Sequence, residues 1–410
     1  MAHELFDIAV VGAGPAGAVA AYAAARRGFS VALIDRHTFP RDKACGDGIG
    51  PGAVRLAQQL GLSELFSGYA PIDTVTIFGP RGTRTENAIP TIGGEPATGY
   101  VIPRLEFDNR LFRAAIAAGA DDLSGTRFLE MTPCAGHRRV VLRDRSGDRR
   151  VVDARLVVGA DGAYSLVRRA LTGRQEPYRS RHAGLAIRAY ARSPTPWASA
   201  ATASLMLEFS RDLLPWYGWV FPVGEHQVNI GVGGSLGTLR ERGADLPKLL
   251  DAHADAMRAR GVICGELRQR RAHHLPHVAG MPRLVYPRAA LIGDAASMIN
   301  PVSGEGIAYA VTAAAQLVRA LPARLEDDSA VADALALFER EFRARHRRQI
   351  ASSRVIITLM KSRVLSAVLV RAMQRDPTVL SVLFDFGPFT ASMALRALSP
   401  WGSPAAAATR

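Results

Sequence analysis

An α/β fold, in which a parallel sheet is interrupted by an inserted antiparallel sheet and followed by a helical region, is predicted by three features of this 410-residue sequence. A hydrophobic strand near the start runs into a glycine-rich turn and an alanine-rich helix. Two more hydrophobic strands, far downstream, each run into a turn containing Asp. Between those two lie short β-rich segments separated by turn residues. Strands alternating with helices imply parallel pairing, whereas closely spaced β-rich runs imply antiparallel pairing.

Asp7–Val11 reads as a buried parallel strand, Gly12-Ala13-Gly14-Pro15-Ala16-Gly17 as the turn and Ala18–Arg27 as the helix. This Rossmann-like unit offers free N–H groups and a helix N-terminus to a pyrophosphate. Gly12 permits the tight turn, Gly14 the approach of the phosphates and Gly17 the packing of helix on sheet. A second buried strand, Val31–Ile34, ends at Asp35, where a carboxylate can accept hydrogen bonds from ribose hydroxyls. An acid there argues against a 2′-phosphate. Gly12, Gly14, Ala16, Gly17, Asp35 and Arg36 are the candidate nucleotide contacts. Glycine turns also serve purely structural ends, but here the whole strand–turn–helix–strand–acid context is present. The motif alone does not separate NAD from FAD.

Arg155-Leu-Val-Val-Gly-Ala-Asp161-Gly162 is the next strand-to-turn signature, and Ala290-Leu-Ile-Gly-Asp294-Ala-Ala the last. The latter is followed by Asn300-Pro-Val-Ser-Gly304-Glu-Gly306-Ile307-Ala and a long alanine-rich helix. This arrangement resembles the glutathione-reductase-type flavoproteins of the aromatic hydroxylase superfamily. The resemblance implies FAD, with Asp294 on the ribityl chain and Gly304, Gly306 and Ile307 beside the pyrimidine edge of the flavin. A helix N-terminus there stabilises the anionic reduced ring. Arg104, at the start of a predicted helix in VIPRLEFD, matches a family position that approaches the cofactor.

Composition bounds the rest. With 48% hydrophobic residues the chain can bury a large core, and no repeat or low-complexity tract points to a solenoid. The first strand starts almost at once, leaving no room for a signal peptide. Three cysteines, Cys45, Cys134 and Cys264, make no disulfide framework, so a cytoplasmic location is expected. No apolar run approaches the roughly 20 residues of a membrane span. The net charge of +14 is carried by arginine, the lysines being Lys43, Lys248 and Lys361, and no nucleic-acid module accompanies it. Arg340–Arg348 (REFRARHRR) precedes the apolar stretches Val355–Met360 and Val364–Val370. Such a basic amphipathic region suits either a helical pair closing over the substrate domain, which we favour, or peripheral contact with an anionic bilayer on its inner face.

Leu185–Ala191, Ala203–Phe209, Tyr217–Pro222 and Gln227–Gly233 read as strands of an antiparallel platform, with Thr74–Phe78 and its neighbours added. The expected division is 1–70, 100–175 and 280–325 for the FAD-binding domain, 71–99 and 176–279 for the substrate domain, and 326–410 for the helical C-terminal region. Two segments narrow the function. Tyr217-Gly-Trp219-Val-Phe221-Pro222 followed by Gly231-Val-Gly233, and Pro40-Arg41-Asp-Lys43-Ala-Cys45-Gly46-Asp47-Gly48, resemble the YxWxFP…GxG and RxKxCG(D/E)G motifs of the geranylgeranyl reductase family. The likeness spans residues 5–320 and is similar to the menaquinone-tail reductases. It implies reduction of C=C bonds in an isoprenoid or lipid chain, with Cys45 and Gly46 near the cofactor.

At alternate strand positions Tyr217, Trp219 and Phe221 share one face and line one wall of a pocket. Inward aromatics at this period often simply pack a sheet, but the loop and paired glycines favour pocket lining. An isoprenoid has no polar handle, so affinity comes from apolar area at about 25 cal/mol per Å². An unactivated alkene takes hydride only as a proton reaches its other carbon, and aromatic faces stabilise the cationic character between. Cys45, Tyr217 and a flavin-bound water are the candidate proton sources, and Cys45, Tyr217 and Trp219 the candidate catalytic residues. The external donor is NADPH, NADH or ferredoxin, left open. Gly231–Gly237 lacks the context of a second nucleotide loop. His273, His274 and His277 read as a loop near a strand and not as metal ligands, and Ser165 and Ser303 lack a nucleophile elbow. The rival readings are a flavin monooxygenase or epoxidase, then a halogenase, whose Trp-x-Trp-x-Ile-Pro pattern this chain does not match, and then an electron-transfer or redox-sensing flavoprotein.

Overall fold

The computed structural model describes residues 4–80, 82–89, 91, 92, 95–173, 182–197, 203–211, 213, 214, 216–301, 303–360 and 362–375. Residues 176–181 of the expected substrate domain, Lys361, and the C-terminal region beyond residue 375 lie outside the described residues.

Leu5–Val11 is the centre of the first sheet. It pairs in parallel with Val31–Asp35 on one side and Arg149–Gly159 on the other. Asp121–Ser124 adds in parallel outside Val31–Asp35, and Ala289–Leu291 outside the last residues of Arg149–Gly159. The first half of Arg149–Gly159 instead pairs antiparallel with His137–Arg143, which in turn pairs with Arg127–Cys134. Near-continuous apolar runs form these parallel strands because both faces are covered; Val31–Asp35 is buried throughout. The strand ends are stitched in sequence: Gly12 N–H donates to the Ile34 carbonyl at 2.7 Å, Ala160 N–H to Val11 at 2.7 Å and Ile292 N–H to Gly159 at 3.0 Å. Gly12, Asp35, Asp161 and Asp294 therefore sit together along the carboxyl edge, where open α/β sheets bind ligands.

The helix after the glycine turn runs over Pro15–Ala25, beginning three residues earlier than the sequence predicts because Pro15 is pre-set for a first helical position. Its small side chains let it lie buried between the sheet and the helices Arg104–Ala117 and Ile307–Ala320.

The second sheet has the order Cys264–Pro276, Ala183–Arg192, Gln227–Ser235, Tyr217–Pro222, Ala203–Glu208, Ile72–Phe78 and Arg84–Ala88. We call Tyr217–Pro222 the aromatic strand and Gln227–Ser235 the glycine strand. One pair departs from the antiparallel expectation: Ala203–Glu208 runs parallel to Ile72–Phe78. Parallel neighbours need a long connection, and here the chain passes through the first sheet between them. A second correction concerns His273 and His274, which lie on the edge strand Cys264–Pro276 opposite Ala186 and Leu185, not in a loop. That strand is mostly exposed and polar, so it carries no hydrophobic alternation to read.

The two faces of the platform are covered differently. Val75, Ile77, Leu205, Leu207 and Trp219 pack with Val370, Ala372 and Met373 of the helix Arg363–Arg375. Met206, Val220, Ile230 and Val232 pack with Leu250, Ala254 and Met257 of the helix Leu246–Ala259. Gln374 ties the first of these helices down, donating to the carbonyls of Ile77 at 3.3 Å and Thr83 at 3.0 Å. The expected helical pair is divided: Arg363–Arg375 packs on the platform, whereas Asp328–Met360, which carries the basic stretch, packs through Phe338 and Phe342 in the core of the first sheet. No described helix is long and apolar enough to cross a membrane.

Candidate active site

A cavity of about 250 Å³ lies between the carboxyl edge of the parallel sheet and the aromatic face of the platform. Asp294, Gly304, Gly306 and Ile307 line it from the cofactor side, and Tyr217, Trp219 and Phe221 from the platform. Cys45, Gly46 and Arg104 complete the wall between them. The other predicted contacts, Gly12, Gly14, Ala16, Gly17, Asp35 and Arg36, are not on this wall; they follow the same sheet edge beyond Pro15, which is.

The glycine turn has the room that a dinucleotide needs. Gly12 has φ +100°, and a Cβ there would stand 2.3 Å from the Ala160 carbonyl oxygen. A Cβ on Gly17 would stand 1.7 Å from the Gly12 oxygen, so the helix can seat only without one. Gly14 is different: the nearest atom to such a Cβ is Arg41 Nη2 at 3.5 Å, leaving that side of the turn open to phosphate. Ala16 packs on the last Asp turn, 2.9 Å from where a Gly293 Cβ would be. Asp35 accepts Ala13 N–H through Oδ2 and His37 N–H through Oδ1, both at 2.9 Å. It thus fastens the turn while each oxygen keeps capacity for a ribose hydroxyl. Arg36 is exposed, with Nε 3.1 Å from His37 Nε2.

Asp294 faces Lys43 Nζ at 2.9 Å and His273 Nε2 at 4.0 Å. Burial works to raise its carboxyl, but Lys43 and His273 hold it below the ordinary range. Burial also pushes His273 down to about 4, so its ring is neutral at pH 7. Gly304, at φ +70°, and Gly306, which caps the helix Ile307–Ala320, bring that helix N-terminus to the cavity. Asp161 does something else: it accepts Leu166 N–H at 2.7 Å and Val167 N–H at 3.1 Å and starts the helix Leu166–Thr172. An open turn, an acid at the ribose position, and a carboxylate, a cation and a helix start around one cavity fit FAD. Among the described residues no group of three or more His, Cys, Asp or Glu could hold a metal.

On the platform, ring centroids of Tyr217 and Trp219 are 6.1 Å apart, and those of Trp219 and Phe221 6.4 Å. The register places Tyr217 opposite Gly233 and Trp219 opposite Gly231. A Cβ on Gly231 would lie 2.2 Å from the Trp219 ring. Gly231 therefore makes room for the Trp219 ring, a purpose that spacing in the sequence does not reveal, whereas a Cβ on Gly233 would first meet Ala186 Cβ at 3.0 Å. Tyr217 donates its hydroxyl hydrogen to the Ser303 carbonyl, fastening the platform to the Gly304 turn. Burial, reinforced by the nearby Cys45, raises the Tyr217 pKa.

The loop holding Cys45 is anchored by residues that the sequence left unassigned. Burial pushes the Cys45 thiol up, against the pull of Arg104, so it stays protonated at neutral pH. Arg104 forms a two-pronged pair with Asp108 at 2.6 and 2.7 Å, and Arg41 adds a third bond at 2.8 Å. Burial alone would raise the Asp108 carboxyl, but Arg104 and Arg41 hold it low. The i,i+4 spacing of Arg104 and Asp108 on one helix was a signal that could have found this pair. Asp47 is wholly buried, at φ +64°, and accepts from Tyr190 Oη at 2.7 Å, Asn229 Nδ2 at 2.8 Å and Arg104 N–H at 3.2 Å. Burial still lifts it to about 6. Arg188, 1% exposed, holds Asp42 through one Nη at 2.6 and 2.7 Å. Asn229, Tyr190 and Arg188 gave no local signal, since their partners lie far away in the chain.

Residues 6–353 match the family described as FAD binding domain. The chain is 40% identical to a menaquinone reductase of Mycolicibacterium smegmatis over 74% of its own length and 73% of that protein's. It is 31% identical to a geranylgeranyl diphosphate reductase of Rhodobacter capsulatus over 74% and 72% of the two lengths. A geranylgeranyl bacteriochlorophyll reductase-like protein of Thermoplasma acidophilum shares the fold, with a TM-score of 0.78 over 96% of each chain at 23% identity. The chain is thus a member of the FAD-binding flavoprotein family, in its geranylgeranyl reductase group.

Proposed function

We propose that this protein is an FAD-dependent reductase of C=C bonds in an isoprenoid chain, such as the prenyl tail of a menaquinone. The observation that carries this reading is the aromatic wall of Tyr217, Trp219 and Phe221, which shares one cavity with Asp294 and the Gly304–Ile307 helix start. Bound FAD, when reduced, supplies the hydride.

The chain's own residues do the rest. Gly12, Gly14, Ala16 and Gly17 shape the pyrophosphate turn, Asp35 and Arg36 sit at the ribose end, and Asp294 and Ile307 border the ring system. Ile72, Leu205, Leu207 and Phe209 add apolar lining to the same cavity. An isoprenoid segment binds there by apolar area alone. The Trp219 and Phe221 faces favour positive charge developing on the alkene. Cys45, kept as S–H by burial, holds a proton at the cavity wall and is the better donor candidate, because the Tyr217 hydroxyl is already committed to Ser303.

The electron donor is NADPH, NADH or a ferredoxin-like carrier acting without a second nucleotide domain: Gly231–Ser235 is strand, and Leu236–Glu241 a short helix of the platform. Val355, Val364 and Leu365 are exposed near the turn between the last two described helices, next to the arginine-rich stretch. This supports a peripheral seat on an anionic bilayer, from which a tail enters.

The test is product mass. FAD-loaded protein receives a geranylgeranyl lipid or a menaquinone with chemical reductant, first without and then with oxygen. A gain of about two mass units per event without oxygen is expected from hydride plus proton addition. A gain of about sixteen, seen only in air, overturns the reading in favour of a monooxygenase or epoxidase.

A further inference from the structure

Asn229 is wholly buried near the start of the glycine strand, opposite Phe221. Both of its amide hydrogens and its amide oxygen are engaged. Nδ2 donates to the Cys45 carbonyl at 2.7 Å and to Asp47 Oδ2 at 2.8 Å, and Oδ1 accepts the Trp219 indole N–H at 2.9 Å. The pattern has one orientation only. Turned end for end, the amide would set N–H against indole N–H and oxygen against two oxygen acceptors, losing all three bonds.

The contact joins two parts of the site that the backbone does not join. Trp219 belongs to the platform, whereas Cys45–Asp47 belongs to a loop 182–184 residues away in sequence from Asn229. That loop lies directly on the rings: a Cβ on Gly46 would be 3.3 Å from Trp219 Nε1 and 3.4 Å from Phe221 Cε2. With Gly46 and Gly48 on either side of Asp47, the loop has little stiffness of its own. The same Asp47 is gripped by Tyr190 and by Arg104 N–H, so the amide closes a buried polar cluster with every member satisfied.

We propose that Asn229 is a positioning residue for alkene reduction, holding the Trp219 indole and the Cys45–Asp47 backbone as one rigid body so that the thiol and the aromatic wall keep a fixed separation across the cavity. The catalytic consequence rests on the reductase reading above; the mechanical one does not. Removing the amide orphans the Cys45 carbonyl, the indole N–H and one side of a buried carboxylate at once, which frees the loop.

The experiment measures alkylation of Cys45 by iodoacetamide, read by peptide mass, in FAD-loaded protein carrying Cys134→Ser and Cys264→Ser. Asn229→Ala is expected to alkylate about tenfold faster or more, with FAD retained, as the loss of buried hydrogen bonds predicts. Prenyl reduction by the same variant should lose kcat by a similar factor, with KM changed by less than about threefold. Asn229→Asp supplies the second readout. Its carboxyl faces Trp219 from its own sheet and Asp47 and Cys45 from the loop, with Tyr190, Arg188 and Arg104 around Asp47. Two adjoining carboxyls share a proton as pH falls, restoring one donor. The ratio of its alkylation rate to the parent's should therefore fall toward one at lower pH. Rates within twofold of the parent for both variants, at every pH, would overturn the proposal. Because the alkylation is read without substrate, failure of the parent to reduce any prenyl chain would count against the reductase reading and leave this result standing.

Discussion

The Trp219 indole occupies the space that a side chain at Gly231 would need: the two residues face each other across the aromatic and glycine strands, and a Cβ on Gly231 would meet the ring at 2.2 Å. Gly231→Ala should therefore displace the ring without touching the nucleotide turn. We expect FAD content to be unchanged, stability to fall by about 1–3 kcal/mol as in other overpacked interiors, and kcat/KM to drop about tenfold. Denaturant unfolding and steady-state kinetics check this; a variant with parental stability and kinetics would mean that the ring is not held at that glycine.

Trp219→Ala and Asp294→Ala separate the two sides of the cavity. The first should keep FAD and lose turnover and tail affinity. The second should lose FAD on gel filtration, since Lys43 would be left without its carboxylate partner beside the cofactor. Equal flavin loss in both, measured by absorbance of the protein peak, would undo the division between platform and cofactor domain.

Asp47 makes stability depend on pH in an unusual direction. Its carboxyl is raised to about 6 in the folded chain from an ordinary 3.8, burial being the main cause. Between those values the folded protein holds a proton that the unfolded chain has released. The group's contribution therefore favours folding at low pH and is lost as pH rises through about 6, by about 3 kcal/mol in all. Asp47→Asn, which tolerates the left-handed backbone, should remove that slope. Urea midpoints of parent and variant, compared from pH 4 to 7, should diverge in that sense; parallel curves would contradict it.

Asp108 compensates both Arg104 and Arg41 in the interior. Asp108→Ala leaves Arg104 charged and buried, which costs about 3–5 kcal/mol where one partner of a buried pair is removed. Thermal unfolding of the variant should show a large loss. Arg104→Met with Asp108→Leu should recover part of it, and failure of the double variant to exceed Asp108→Ala in stability would argue that the pair is not the source.

Much of this molecule was legible in its sequence because the signals were local. The strand, Gly12 turn, helix and Asp35 form a contiguous run, and the period-two spacing of Tyr217, Trp219 and Phe221 put their rings on one face. The same locality explains the failures. Hydrophobicity does not alternate in the run around His273 and His274, because most of that edge strand is exposed and polar. The parallel pairing of Ala203–Glu208 with Ile72–Phe78 depends on a crossover through the other sheet, which no window of sequence contains.

By itself, then, the sequence determined the α/β class, the flavin dinucleotide turn, the strands of the platform and its aromatic face, since each follows from backbone geometry repeated over a few residues. Only the tertiary structure decided why Gly231 must lack a side chain and how Asn229 joins Trp219 to the Cys45 loop. Those contacts cross from strand to strand and from sheet to loop, the last over 184 positions of the chain. They exist because buried polar groups must find partners wherever folding brings them, and chain order does not encode that meeting place.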